Sequence, residues 1–137
     1  AANKIKPDLA IAVDVAIAYD TPGMSGQVSD TAIGNGPVVI IMDASNIGHV
    51  GFTKHIKEVA KKHNISIQLD TTAGGGTDAG SIHVANEGIP TVSIGVALRY
   101  MHSNVSVLHT DDYKNSVALV TEIVKSLNDD VVEEIIW

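Results

Sequence analysis

Three apolar runs constrain the fold of this chain more than any other feature of its sequence. They are LAIAVDVAIA at residues 9–18, PVVIIM at residues 37–42 and TVSIGV at residues 91–96. Runs that are apolar at nearly every position are typical of strands buried on both faces. A sheet made of such strands needs helices on both sides to cover it, so the runs predict a layered α/β domain.

Helical periodicity appears between and after these runs. Phe52, Ile56 and Val59 follow the spacing of an amphipathic helix whose outer face carries lysines. Thr77 is placed to cap a second helix, which runs to Glu87. A long helix begins at Asp111 or Asp112, and a short one covers residues 128–137. The inner face of the long helix is predicted to hold Tyr113, Val117, Val120, Ile123, Val124 and Leu127.

One further strand has a different pattern. Residues 65–70, ISIQLD, alternate apolar and polar side chains, which predicts a strand near the sheet edge with Asp70 on its exposed face. Together the elements predict a three-layer sandwich, in which a mixed but mostly parallel sheet has helices on both faces. The sandwich is expected to be incomplete, because the chain opens on a buried strand without a helix to cover it.

Composition excludes several classes of function. The 137 residues suit one domain, 45% of them are hydrophobic, and none is cysteine, so thiolate metal ligands are impossible. A net charge of −7 argues against binding to nucleic acid or to an acidic membrane surface. No apolar run approaches the roughly 20 residues that span a bilayer, and the first residues lack the apolar core of a signal peptide. A cytoplasmic enzyme, or part of one, fits these observations.

Several polar residues within or just after the apolar strands are candidates for binding a metal or a substrate. Asp14 is the single charge in the first run, where a carboxylate is costly unless it is hydrogen-bonded, paired or bound to metal. His102 follows the third run, and imidazole with carboxylate suits zinc or cobalt when thiols are absent. Arg99 is a candidate substrate-binding residue, because a guanidinium can bind a carboxylate through two hydrogen bonds. Asp20, which precedes Thr-Pro-Gly, is typical of a turn.

A glycine-rich turn, GGGTDA at residues 74–79, precedes the second predicted helix. It lacks the Lys-Ser/Thr ending of a P-loop and the spacing of a dinucleotide fingerprint. Its glycines still permit backbone amides to approach a substrate or an anion closely. Gly75, Gly76, Thr77 and Asp78 are therefore candidate substrate-binding residues, although Asp78 is also a common residue in a first helical turn.

The order and spacing of five motifs resemble the glutamyl aminopeptidase family of dinuclear metallopeptidases, which includes tetrahedral aminopeptidases. The motifs extend over nearly the whole chain: VDV at 13–15 with DTPG at 20–23, IGNGP at 33–37, GGTDA at 75–79, GIPT at 88–91 and RYMHS at 99–103.

The resemblance implies a zinc-peptidase-like fold and a specific chemistry. It implies that Asp14 binds one of two divalent ions, zinc or cobalt, that His102 binds the other, and that metal-activated water hydrolyses N-terminal residues from peptides. In the family a bridging Asp in an Asp-Asp-Arg segment, a first His ligand and an adjacent Glu pair come earlier in the chain. These residues have no counterpart here, so residues 1–137 resemble the C-terminal part of a catalytic domain, with no catalytic base of its own.

Several alternatives remain open at this stage. The chain on its own is expected to bind metal weakly or not at all and to be inactive. It is either part of an oligomeric aminopeptidase or an inactive fragment or pseudoenzyme. A third possibility is a small module that binds an anionic ligand at the glycine-rich turn.

Overall fold

The computed structural model describes residues 1–24, 29–72 and 74–137. These residues form five helices and four strands, in the order α1 (Ala2–Ile5), β1 (Ala10–Ile17), β2 (Val38–Met42), α2 (Val50–Lys62), β3 (Gln68–Thr71), α3 (Ala79–Ile82), β4 (Thr91–Leu98), α4 (Thr110–Ser126) and α5 (Asp129–Ile136). Within these residues no helix is both long and apolar enough to cross a membrane.

The four strands form one mixed sheet in the order β1-β4-β2-β3. β1 pairs with β4 in parallel over its whole length, and β2 pairs with β3 in parallel. β2 and β4 are antiparallel neighbours at the centre. β4 is buried from Thr91 to Ala97 because it has a strand on each side and a layer of structure on each face.

Helices cover the sheet on both faces, as the apolar runs predicted. On one face, here called the helix face, Val39, Val92 and Ile94 pack into a core cluster with residues of α2, α4 and α5. On the other, here called the cavity face, a smaller cluster contains Ala16, Ala97, Val38 and Ile40. The short helix α3 contacts β1 and β4. The arrangement is an α/β sandwich of three layers.

β1 is less buried than its apolar run predicted. Val13 is 63% exposed, and Asp14 is also exposed. The reason is position, since β1 lies at one end of the described sheet and has a neighbour, β4, on one side only. An apolar run cannot by itself distinguish an edge strand from a central one.

β3 lies at the opposite edge of the sheet, as predicted, but its two faces are reversed. Asp70 is only 3% exposed, whereas Leu69 is 48% exposed. Asp70 pairs with Ile40 and so lies on the cavity face, whereas Leu69 pairs with Val39 on the helix face. The helix-face core does not extend far enough to cover Leu69, and the polar residue is buried instead.

The helix predicted to run from Thr77 to Glu87 is one short turn. α3 ends at Ile82, and Asn86 and Gly88 adopt left-handed backbone conformations that an α-helix cannot continue through. Asp78 occupies the N-cap position, while the hydroxyl of Thr77 accepts a hydrogen bond from the Ala79 amide at 3.3 Å.

The long helix α4 starts earlier than predicted, and its predicted inner face is only partly confirmed, since Ile123 is buried while Val120 and Leu127 pack partly buried against the core. His109 caps it by accepting a hydrogen bond from the Asp111 amide, and Asp112 is buried. The Asp112 carboxylate accepts hydrogen bonds from the amides of Gly34 and Gly36, at 2.6 and 2.8 Å. With Asp112 on the buried side of the helix, several apolar side chains of the predicted inner face are exposed, which are Tyr113, Val117 and Val124.

Candidate active site

A cavity of about 120 Å³ opens on the cavity face of the sheet. Asp14 pairs with Gly95 of β4 and therefore lies on the same face of the sheet as Ser93, two residues earlier in β4. Ser93 in turn pairs with Ile40 of β2. The hydroxyls of Ser93 and Thr77 lie 2.7 Å apart, so the glycine-rich turn covers this face. The cavity is lined by Asp14, Val15, Ala16, Ile17, Tyr19, Ile40, Asp43, Asp70, Thr72, Gly74, Gly75, Gly76, Thr77, Met101 and His102.

The two residues predicted to bind metal both line this cavity. Asp14 belongs to β1, and His102 follows β4, the strand that pairs with β1. The side chains of Asp14 and His102 are both exposed. Oδ1 of Asp14 accepts a hydrogen bond from the Val15 amide at 2.8 Å. An exposed carboxylate and an exposed imidazole are chemically suited to a divalent metal.

These two residues would form only part of a metal site. Within the described ranges no group of three His, Cys, Asp or Glu residues is arranged around one point. Structural zinc sites use about four protein ligands and catalytic ones about three. Asp14 and His102 therefore fit a metal as contributors to a larger ligand set.

His102 lies in a turn with unusual backbone geometry. Tyr100 and His102 have φ values of 60° and 62°, in the left-handed region that non-glycine residues seldom adopt. The hydroxyl of Ser103 lies within hydrogen-bond distance of the carbonyl oxygens of Tyr100 and Val105, at 2.6 and 2.7 Å. Arg99 and Val107 close the turn through a pair of backbone hydrogen bonds. Backbone strain of this kind persists only where surrounding contacts hold it, and it is frequent at functional sites.

Arg99, predicted to bind a substrate carboxylate, is paired with Asp20. Its Nε and Nη2 atoms donate hydrogen bonds of 3.1 and 2.6 Å to the two oxygens of Asp20. The hydrogen bond from Arg99 holds the pKa of Asp20 below its usual value. Two of its five N–H donors are thus used within the protein, and substrate binding by Arg99 through the others stays a prediction.

The glycine-rich turn is divided between two places. Gly75, Gly76 and Thr77 line the site cavity, as expected for substrate-binding residues. Asp78 lies instead in a second cavity, together with residues of α1. The amide and the hydroxyl of Thr77 each lie 3.2 Å from Oδ2 of Asp43. These donors of the turn are therefore already paired with a carboxylate of the protein itself.

Asp43 was not singled out from the sequence, yet it connects three parts of the site. It is 7% exposed, and its Oδ1 accepts hydrogen bonds from the Ser45 amide, the Ser45 hydroxyl and the Asn46 amide. Burial alone would raise the pKa of Asp43, but these bonds and those from Thr77 outweigh it and lower the pKa. The available sequence signal was its position directly after the PVVIIM run, where strand ends collect functional groups.

Asp70 is the second buried carboxylate that sequence reasoning missed. It lines the cavity, and its Oδ1 has no hydrogen-bond partner within the described part of the chain. The cavity thus brings together three carboxylates and one imidazole, without a lysine or arginine in its described lining. Such a lining favours cations, whether metal ions or ammonium groups.

A comparison with protein families matches residues 1–119 to the M42 glutamyl aminopeptidase family. By sequence, the chain is 41% identical over 124 residues to a putative aminopeptidase of Acetivibrio thermocellus. That alignment covers 90% of this chain and 37% of the relative.

Solved structures agree in fold. The TET aminopeptidase of the marine sediment archaeon Thaumarchaeota archaeon SCGC AB-539-E09 superposes with a TM-score of 0.93 at 37% identity, covering 98% of this chain and 37% of that one. The TET1 peptidase of Pyrococcus horikoshii, which can assemble into a tetrahedron or a large octahedral shell, has a TM-score of 0.71 at 27% identity, covering 92% of this chain and 37% of that one. The chain thus spans somewhat more than a third of the length of these relatives.

Proposed function

Because the chain belongs to the M42 glutamyl aminopeptidase family, we propose that it forms the C-terminal part of the catalytic domain of a metal-dependent aminopeptidase. The complete enzyme would remove N-terminal residues from peptides. The observation that carries the proposal is that Asp14 and His102 line one cavity on the sheet.

Each residue of the cavity has a distinct part in this proposal. Asp14 and His102 would each contribute a ligand to two divalent ions, zinc or cobalt. When bound, such ions supply an activated water and polarise the peptide carbonyl. Gly75, Gly76 and Thr77 would contact the substrate backbone, because the turn that contains them covers the same cavity. Arg99 would act chiefly as a positioning residue, through its bond with Asp20.

Part of the catalytic machinery would come from outside residues 1–137. Two ligands are too few to hold zinc firmly, and no residue of the described cavity is proposed as the general base. Loss of a general base typically costs about 10²–10⁴-fold in rate. We therefore expect the chain alone to bind divalent metal weakly and to leave aminoacyl substrates intact.

The experiment compares this chain with the complete product of its source gene. Both are purified, supplied with cobalt or zinc, and assayed with glutamyl-, leucyl- and lysyl-anilides, with metal content measured in parallel. We expect chelator-sensitive hydrolysis by the complete product only, and loss of metal and activity in Asp14→Ala and His102→Ala. Asp8→Ala and His63→Ala, which replace the same residue types away from the cavity, are the controls.

Two results would overturn the proposal. Hydrolysis of anilides by residues 1–137 alone would show that the active site does not depend on further ligands. A complete product that binds no metal and hydrolyses no anilide would favour an inactive relative. The anion-binding alternative is weakened by the Asp43 carboxylate, which already accepts the hydrogen bonds of Thr77.

Assembly and location are also part of the proposal. The complete enzyme would be a homo-oligomer, a view supported by the shells that Pyrococcus horikoshii TET1 forms. We also propose that it acts on peptides in the cytoplasm. Residues 1–137 contain no cysteine, so this part of the enzyme does not need an oxidising compartment in which to form disulfides.

A further inference from the structure

Asp70 is a buried carboxylate whose hydrogen-bonding capacity is incompletely used. Its side chain lies on the cavity face beside Ile40, is 3% exposed and lines the cavity. Oδ1 is buried and accepts no hydrogen bond from any described residue. Buried polar atoms are nearly always paired in folded proteins, so an unpaired one calls for an explanation.

The other two carboxylates of the cavity are in different states. Asp43 is satisfied by donors from Ser45, Asn46 and Thr77. Asp14 is exposed and is assigned above to a metal. Asp70 is thus the carboxylate of this cavity that is both buried and incompletely paired. An unpaired carboxyl oxygen accepts a hydrogen bond, and the strongest such bonds to a carboxyl group come from cationic donors.

The surroundings of Asp70 also fit a cation on an aliphatic stem. Apolar side chains of Ile40, Ala16 and Met101 line the same cavity, together with the aromatic ring of Tyr19. Apolar walls bury methylene groups, while a carboxylate fixes the charged end.

We propose that Asp70 forms a subsite that binds a primary ammonium group of the substrate. This proposal rests on the aminopeptidase function proposed above and concerns its substrate class. The ammonium group belongs either to the side chain of an N-terminal lysine or to the α-amino group of any N-terminal residue. Both sources present the same charge and the same donors to the Asp70 carboxylate, and experiment separates them.

The first test measures kcat/KM of the complete gene product for lysyl- and leucyl-anilides, with Asp70→Asn compared with the control Asp8→Asn. If Asp70 binds the lysine side chain, Asp70→Asn lowers kcat/KM for the lysyl substrate about tenfold or more and leaves the leucyl value unchanged. If it binds the α-ammonium group, both values fall by similar factors. Unchanged values for both substrates overturn the subsite while leaving the aminopeptidase function intact.

A second measurement does not depend on a variant or on turnover. Binding of n-butylammonium to the unaltered protein is compared with that of n-pentanol, which is similar in size but neutral. We expect the ammonium compound to bind at least tenfold more tightly. In NMR spectra of the protein, the resonances that it shifts should belong to Asp70 and neighbouring cavity residues. Equal binding of the two compounds, or binding that maps elsewhere, overturns the subsite even if the protein hydrolyses no substrate.

Discussion

The guanidinium of Arg99 and the carboxylate of Asp20 are joined by two hydrogen bonds, of 3.1 and 2.6 Å. Asp20 follows β1, which contains Asp14, and Arg99 follows β4 and begins the turn that contains His102. The pair therefore connects the two segments whose strands supply the proposed metal ligands. Because the pair bridges these segments, it fixes the His102 turn relative to β1.

The first prediction concerns the pH dependence of this pair. The pKa of Asp20 is lowered in the folded protein from an ordinary value of 3.8. A carboxyl with a depressed folded pKa stabilises the protein above its unfolded pKa, and that stabilisation is lost as pH falls through the folded pKa. Asp20→Asn should therefore be less stable than the unaltered chain at pH 7, by about 1 kcal/mol or less for a partly exposed pair.

The measurement is urea unfolding at pH 7, 5 and 3. The difference between the unaltered chain and Asp20→Asn should shrink between pH 5 and pH 3. Asp8→Asn, at an exposed position outside the pair, is the control. A difference that stays constant over this range would show that ionisation of Asp20 does not contribute to folding.

The second prediction concerns Asp43. Five hydrogen-bond contacts reach its carboxylate, from Ser45, Asn46 and Thr77. Asp43→Ala leaves buried donors without an acceptor, so we expect a loss of about 2–4 kcal/mol in the free energy of unfolding. Ser45→Ala removes one donor and leaves the acceptor in place, and it should cost about 1 kcal/mol. Similar losses for the two variants would contradict the central role given to the carboxylate.

The third prediction separates two roles of glycine. Gly36 and Gly88 have similar left-handed φ values of 94° and 97°. A Cβ at Gly36 would overlap the backbone oxygen of Ser66, whereas at Gly88 its nearest contact, the His83 carbonyl oxygen, is an ordinary 3.8 Å away. Gly88→Ala should cost about 1–2 kcal/mol from backbone conformation alone. Gly36→Ala should lower stability clearly more, which would appear as a larger fall in the midpoint temperature of thermal unfolding. Equal falls for the two variants would rule out a steric contribution at Gly36.

The general architecture followed from local patterns in the sequence. The apolar runs at residues 9–18, 37–42 and 91–96 correspond to β1, β2 and β4, and the periodicity around Phe52 corresponds to α2. These features are visible locally because each strand or helix carries its own periodicity. The resemblance to the aminopeptidase family was confirmed by the match over residues 1–119.

Features that depend on contacts between distant segments could not be predicted in the same way. The burial of Asp70 depends on its pairing with β2 and on a cavity formed by other elements. The orientation of α4 depends on hydrogen bonds that the Asp112 carboxylate accepts from the amides of Gly34 and Gly36, 78 and 76 positions earlier. The pairing of Arg99 with Asp20 likewise links segments that are distant in sequence. Periodicity indicates which residues share a face of a helix or strand, but it does not show which other segments pack against that face.

The last prediction concerns Asp14, whose role in the proposal is binding rather than folding. It is exposed, and its carboxylate accepts a hydrogen bond from the amide of the next residue. Asp14→Ala should therefore change the free energy of unfolding by no more than about 0.5 kcal/mol without metal. Ile94 is fully buried in the core cluster, and Ile94→Ala should cost about 2–5 kcal/mol. Urea unfolding of both variants provides the comparison, and repeating it on the complete gene product with zinc tests the proposed role.

In the complete gene product, zinc should stabilise the unaltered protein more than Asp14→Ala, since a ligand stabilises only the state that binds it. Equal stabilisation of the two proteins by zinc would remove Asp14 from the metal site.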